Sequence, residues 1–258
     1  MPSLPFDATS PANGKPPSLP YGGAYGWQLP TTAACASQAR SALASAMTVL
    51  GYSHDVIDDG MLAVSELATN AYQHAARVGP YGAITTPELW MWARTRPQNE
   101  LVVTVFDACR NALPQPNGRE LLDEHGRGLG IIDALSSCWG WHPSRAWIGS
   151  PQTQGKASWF ALPLPARWPM TARPIPPATA AERLLLVLRS RHVRCVRRSD
   201  DIGISLLTAG TLNIWVKPAS FSWRLNGDDY ASHPLIDVQE AAEHIVQTLE
   251  EAERPVPT

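Results

Sequence analysis

Three separated stretches of the sequence contain residues whose types and spacing could support chemistry. Glu66, Asn70 and His74 follow one another at intervals of four residues, and Asp107 comes directly after a run of apolar residues. The third stretch is the glycine-rich segment Gly126-Arg127-Gly128-Leu129-Gly130. An asparagine oxygen is a hard ligand of the kind that Mg²⁺ prefers. A glutamate one helical turn before it could act as a general base towards a hydroxyl group or a water molecule.

The carboxylate and the glycine-rich segment suit the two ends of a nucleotide. Asp107 could accept a hydrogen bond from an exocyclic amine such as N6 of adenine. A glycine-rich turn that enters a helix presents free backbone N–H groups and the positive end of the helix dipole, which attract phosphates. Arg127 adds a charged donor suited to phosphate oxygens. The combination predicts a site for ATP and Mg²⁺.

Each feature also has an ordinary structural explanation when it is taken alone. Glu66 and Asn70 could simply form a solvated helix face, and Asp107 could be a turn residue. His74 is of a type common at helix ends, and a GxGLG segment alone is weak evidence for a phosphate loop. Because all of them occur in one order and in suitable structural contexts, we favour the nucleotide site.

The elements that would position these residues can be predicted from periodicity. A helix is expected from about Asp55 to about Arg77, before Gly79-Pro80. At about 100° per residue, one face of this helix is apolar and the opposite face is polar. The apolar face contains Met61, Val64, Leu67, Ala68, Ala71 and Ala75. The polar face contains Glu66, Thr69, Asn70, Gln73 and His74.

Strands are predicted wherever apolar and β-branched residues alternate. They are expected at Glu88–Thr95, Leu101–Phe106, Cys138–His142, Ala146–Ile148 and Ala157–Leu162. Asp107 ends the second of them. The polar residues 108–127 form a loop long enough to have a function, and a helix from Leu129 to Leu135 follows the glycine-rich segment.

The flanking regions are predicted to form a tail, a linker and a second module. Residues 1–26 are rich in Pro, Gly and Ser and are expected to be disordered. Residues 165–180 are Pro-rich and are expected to be a linker. Residues 181–258 are expected to form a small α+β module with no evident chemistry, for which protein docking or dimerisation is a hypothesis.

Within this module, one helix, three short strands and a final helix are predicted. They are Glu182–His192, Ile204–Leu207, Leu212–Val216, Phe221–Leu225 and a helix that ends near Glu253. Asp237 is expected to cap the final helix, with Glu240 as its capping-box partner.

Composition and charge limit the classes of partner. A net charge of -2 gives no electrostatic support for direct binding to nucleic acid or to an anionic membrane. No segment reaches the roughly 18–20 apolar residues that span a bilayer, and no secretory signal is visible. The four cysteines contain no CxxC pair, so neither a zinc site nor a disulfide framework is expected. The expected location is the cytoplasm.

The motif set resembles the ATP-binding domain shared by histidine kinases, gyrase and Hsp90-type proteins. Within that superfamily it is similar to the anti-sigma-factor serine/threonine kinase branch of actinobacteria. The matching stretches are VSELATNAYQHA (Val64–Ala75), VVTVFDA (Val102–Ala108), DEHGRGLGIIDALSSCWGW (Asp123–Trp141) and GKASWFALPL (Gly155–Leu164). The resemblance covers residues 27–164, which we take as the ATP-binding domain.

The resemblance implies an α+β fold of the α/β-sandwich type, with a mixed, mostly antiparallel sheet covered by helices on one face. It implies that Asn70 holds Mg²⁺, that Glu66 is the catalytic general base and that Asp107 recognises adenine. The other ATP-binding residues would be His74, Gly126, Arg127, Gly128, Leu129 and Gly130, with residues 108–125 as a lid. Such kinases bind a sigma factor and phosphorylate a serine on an antagonist (anti-anti-sigma) protein. Whether this chain forms a homodimer is left open.

Three departures from the family pattern leave alternatives open. The segment Ala108-Cys109-Arg110-Asn111 lacks the glycines usual after the aspartate, and Ala157 replaces a threonine whose hydroxyl would lie near adenine. His125 lies in the lid and not on a helix, which argues against a histidine kinase. The alternative to a kinase is a non-catalytic adaptor, either switched by ATP or free of it. A metabolic ATPase is disfavoured because no further acid–base cluster lies outside the motifs.

Overall fold

The computed structural model describes residue 19 and residues 22–75, 86–110, 127–149, 153–168, 174–201, 203–225 and 228–253. Within these residues the helices are α1 (Cys35–Val49), α2 (His54–Ala75), α3 (Arg127–Leu135), α4 (Pro177–Ser190) and α5 (Val238–Ala252). The first five strands are β1 (Ala24–Gln28), β2 (Glu88–Arg94), β3 (Glu100–Asp107), β4 (Cys138–Arg145) and β5 (Gln154–Pro163). The others are β6 (Cys195–Asp201), β7 (Ile204–Ala209), β8 (Leu212–Val216), β9 (Ser220–Arg224) and β10 (Tyr230–Pro234).

The strands form two antiparallel sheets, which confirms the predicted α+β class. The first sheet has the order β1-β2-β3-β5-β4, and the second has the order β10-β9-β8-β7-β6. Because side chains alternate along a strand, β3 sends Val103 and Val105 into a core shared with α1 and α2. It sends Val102 and Phe106 into a second core on the opposite face of the sheet.

Helix α2 forms as its periodicity predicts. Val64, Leu67, Ala68 and Ala71 are buried, while Met61 is half-buried. The polar residues therefore occupy the side that is turned away from the sheet's apolar core. Gly51, with a φ of +83°, follows the end of α1, because a residue without a Cβ adopts this left-handed conformation at little cost.

Helices α4 and α5 connect the two sheets. Helix α5 packs on β2 and β4 of the first sheet and on β10 of the second, and α4 packs on α5 and on β6, β7 and β8. Trp90 of the first sheet and Trp223 of the second belong to one continuous core with both helices. The C-terminal module therefore covers the face of the first sheet opposite α1, α2 and α3.

Charged side chains strengthen this contact along one face of α5. Glu240 accepts hydrogen bonds from Trp92 Nε1 at 2.7 Å and Arg94 Nη1 at 3.0 Å. Further along α5, Glu250 accepts a hydrogen bond from Arg110 Nη1 at 2.9 Å. Both carboxylates are buried, so each needs these donors to offset its lost hydration.

The most buried of these contacts centre on Glu243. Its Oε2 lies 2.5 Å from Arg191 Nη1, and its Oε1 accepts hydrogen bonds from Ser144 Oγ at 2.5 Å and His142 Nε2 at 2.9 Å. The Arg191 side chain is only 1% exposed, and its guanidinium lies 4.6 Å from the centre of the Trp90 ring. These donors hold the pKa of Glu243 well below its usual range, against the effect of its burial.

Two local predictions are wrong. In each case a buried carboxylate accepts hydrogen bonds that the prediction did not include. Residues 146–148 do not form a strand, because the amides of Trp147, Ile148 and Gly149 donate to the buried Glu88 carboxylate at 2.7–3.0 Å. Asp237 does not cap α5 with its side chain. Its carboxylate instead accepts hydrogen bonds from the amide and hydroxyl of Thr95 at 2.9–3.0 Å.

Two strands of the structure were not predicted from the sequence, and two elements begin inside ranges that were expected to be a linker and a tail. Strands β6 and β10 flank the three predicted strands of the second sheet. Helix α4 begins at Pro177 and β1 begins at Ala24, inside the ranges taken as linker and tail. The side chain of Leu19 is buried, while residues 1–18, 20–21 and 169–173 lie outside the described part. Within the described residues, no helix combines the length and apolar character needed to cross a bilayer.

Candidate functional site

Glu66 and Asn70 lie one turn apart on α2 and are both half-buried. The Glu66 carboxylate lies against the first turn of α3. A Cβ atom added to Gly128 would come within 2.5 Å of Glu66 Oε2. Glycine at position 128 therefore allows the start of α3 to approach this carboxylate closely, and the two predicted stretches do meet in the fold.

Helix α3 is anchored by its apolar residues. Leu129 and Ile132 are buried in the core that also contains residues of α2. Gly130, by contrast, is exposed, and a Cβ there would meet nothing within 4 Å. The packing of the described residues therefore explains the glycine at 128 but not the one at 130.

Some predicted site residues fall outside the described part of the chain. Gly126 and residues 111–125 of the predicted lid are not described. His74 lies on α2 and Arg127 begins α3, but neither side chain is described. Their roles as ATP-binding residues stay predictions.

Asp107 ends β3 and is almost fully buried, with 3% of its surface exposed. It follows Val103 and Val105 in the strand alternation, so it lies on the face of the sheet that α2 covers. Its Oδ1 accepts hydrogen bonds from Lys156 Nζ at 2.8 Å and from the Cys109 amide at 2.9 Å. Burial raises the pKa of the Asp107 carboxyl, and the Lys156 ammonium opposes that rise.

Lys156 is not among the site residues predicted from the sequence. Antiparallel pairing of β3 with β5 places Lys156 opposite Asp107 and Ala157 opposite Phe106. Ala157 therefore lies in the core on the α5 side, and the expectation that its missing hydroxyl affects the Asp107 side is wrong. A lysine at the start of an otherwise apolar strand was the available sign of a buried partner for Asp107.

Gly155 permits the close approach of β5 to the end of β3. A Cβ at this position would overlap the carbonyl oxygen of Asp107 and would lie 2.7 Å from the Phe106 ring. Real Cβ atoms do not approach other atoms so closely, and backbone cannot move aside cheaply in a packed sheet. Gly155 therefore sets the spacing that lets Lys156 reach Asp107.

The residues present suit ATP with Mg²⁺. Asn70 lies one helical turn after Glu66 and has an amide oxygen, and oxygen ligands are what Mg²⁺ prefers. The first turn of α3 contains no acidic residue, so its positive dipole end is not neutralised from within. Bound Mg²⁺ would offset phosphate charge, while Glu66 is the group next to that helix end that could hold a proton.

One cavity among the described residues of the first sheet lies away from this site. It has a volume of about 160 Å³ and lies between the sheet and α5, on the face opposite α2. Its charged residues Arg94, Glu240 and Glu243 are already paired with one another or with neighbouring side chains. We therefore assign it to the packing of the C-terminal module and not to the nucleotide.

Comparison with known families agrees with this fold. Residues 29–143 match the family model of the histidine kinase-like ATPase domain. The matched range begins just after β1 and ends within β4, so it contains α2, Asp107 and α3. The match supports the histidine kinase-like ATPase superfamily for this domain and, with it, binding of ATP. A comparison with curated proteins finds no match.

Proposed function

We propose that this protein is an ATP-dependent serine/threonine protein kinase that acts as an anti-sigma factor. In this proposal it binds a sigma factor and transfers a phosphoryl group from ATP to a serine of an antagonist protein. The supporting observation is the contact between Glu66 and Gly128, which places a carboxylate beside the helix end suited to phosphates. A protein that only binds ATP has no need of a base at that point.

Each residue has a separate task in this proposal. Asn70 holds Mg²⁺, Asp107 accepts a hydrogen bond from the adenine amine, and the start of α3 holds phosphates. Glu66 accepts the proton of the attacking serine hydroxyl. Bound ATP supplies the phosphoryl group, and the positioning of these groups accounts for most of the catalysis expected in such transfers.

The proposal is tested by calorimetry with ATP, with and without Mg²⁺, on the wild type and three variants. Asn70→Ala should abolish Mg²⁺-dependent binding, because it removes the proposed ligand oxygen. Glu66→Gln should retain binding and lose phosphoryl transfer to the antagonist protein. Gln73→Ala, at an exposed position on the same helix, is the matched control and should behave as the wild type does.

A second candidate function is a non-catalytic adaptor. The observation that favours it is the buried ion pair between Lys156 and Asp107. In this pair, one oxygen of the carboxylate that is proposed to bind adenine already has a partner within the protein. Absence of binding by the wild type at millimolar ATP would favour this adaptor. Wild-type activity of both Asn70→Ala and Glu66→Gln would refute the site assignment.

A further inference from the structure

Lys156 occupies an unusual position for a lysine. Its side chain is only 2% exposed, and its Nζ donates to Asp107 Oδ1 at 2.8 Å and to the Cys109 carbonyl oxygen at 3.0 Å. Lysine is almost never fully buried unless it is paired. Its two acceptors satisfy that requirement, and the lysine connects the end of β3 to the residues that follow it.

The two hydrogen bonds to the Asp107 carboxylate differ in origin but share one oxygen. Lys156 Nζ and the Cys109 amide both donate to Oδ1. This arrangement fixes the rotation of the carboxylate and leaves Oδ2 without a hydrogen bond to the described residues. An ionised carboxylate can only accept hydrogen bonds, whereas a protonated carboxyl can also donate one.

These hydrogen-bonding properties determine which nucleobase the site can bind. Adenine has an amine at position 6, which donates a hydrogen bond, while hypoxanthine and guanine have a keto oxygen there, which accepts one. A site built to bond one of these groups rejects the other, because a mismatched buried polar group is left without a partner.

We propose that Lys156 is a positioning residue that restricts this site to purine nucleotides with an amine at position 6. It keeps Asp107 ionised and turned so that Oδ2 accepts from the amine and cannot donate to a keto oxygen. This inference rests on the proposed binding of ATP through Asp107, and it adds a specificity determinant from a different strand.

The test compares the binding of ATP and inosine triphosphate (ITP) to the full-length chain by calorimetry. The two nucleotides differ at position 6, where ITP has the keto oxygen. The wild type should prefer ATP. Lys156→Met preserves the length of the side chain and removes the charge. It should lower the affinity for ATP by about tenfold or more and reduce the ratio of ATP affinity to ITP affinity by a similar factor. A merely structural role would weaken both nucleotides alike.

Asp107→Asn provides a second and more specific test with Lys156 intact. Lys156 and the Cys109 amide would take the amide oxygen of the new side chain, which leaves its NH₂ group at the position of Oδ2. That group donates, so the preference should shift from ATP to ITP. This variant also keeps the inference testable if Lys156→Met does not fold.

Thr104→Val is the matched control, since Thr104 lies on β3 but on the other face of the sheet. The Thr104 hydroxyl makes no hydrogen bond to the described residues. The ATP/ITP preference of Thr104→Val should therefore equal that of the wild type. An unchanged preference in folded Lys156→Met, or in Asp107→Asn, would overturn the role of Lys156 and leave ATP binding intact. Failure of the wild type to bind ATP would instead overturn the proposed function and this inference together.

Discussion

The buried carboxylate of Glu243 gives the clearest prediction about what holds the two sheets together. Glu243→Gln removes the negative charge and leaves Arg191 uncompensated in an environment where its side chain is 1% exposed. Removing one partner of a buried ion pair costs about 3–5 kcal/mol. For a chain of this size, 1 kcal/mol corresponds to about 2–4 °C in Tm, so we expect Tm to fall by about 6–20 °C.

The assay is urea unfolding followed by tryptophan fluorescence, together with thermal unfolding at the same pH. Glu251→Gln is the matched control, because Glu251 is an exposed carboxylate on the same helix and accepts a hydrogen bond from the Gln247 side chain. It should change the free energy of unfolding by less than about 0.5 kcal/mol. A loss below about 1 kcal/mol for Glu243→Gln would refute the view that buried charge pairs hold α5 on the first sheet.

Further substitutions test local geometry and pH dependence. Gly128→Ala should leave the fold intact, since the flexible Glu66 carboxylate can move, but phosphoryl transfer should fall; normal transfer would contradict the Glu66 placement. Gly130→Ala, measured by unfolding, should stabilise α3 by roughly 0.5–1 kcal/mol, and destabilisation would contradict the open space there. Gly155→Ala should cost about 3 kcal/mol or more in unfolding free energy, because its Cβ would overlap the main chain, and a neutral result would refute the close approach. Burial raises the pKa of Asp237 from 3.8 to about 6, so its contribution to stability is present below about pH 3.8 and is lost as pH rises through about 6. Asp237→Asn should therefore reduce the dependence of the unfolding free energy on pH between about pH 3.8 and about pH 6. An unchanged pH dependence would contradict the assignment of this effect to the buried Asp237 carboxyl.

Local patterns predicted those parts of the fold that depend on near neighbours along the chain. The spacing of Val64, Leu67 and Ala71 predicted the buried face of α2, and the structure confirms it. Alternation predicted β3 with Asp107 at its end. The strands β6 and β10 were missed, because β6 has charged residues along most of its length and gives no clear apolar alternation.

The candidate site was only partly accessible to the same reasoning. Glu66, Asn70 and Asp107 could be selected because their residue types and their places on a helix or strand already suggest ligands. Lys156 could not be assigned a role, since its meaning depends on the register between β3 and β5. Asp237 was assigned to a helix cap, the usual local role of that residue type, but Thr95 supplies its donors instead.

The sequence by itself determined the amphipathic helices, the strand ends and the glycines, because the periodicity and backbone freedom that produce them act over a few residues. Only the tertiary structure decided which distant groups meet: Lys156 with Asp107, Glu66 with Gly128, and Glu243 with Arg191. The physical reason is that a buried charge is stabilised by whichever donor the folded chain brings within about 3 Å. Spacing along the chain does not specify that partner.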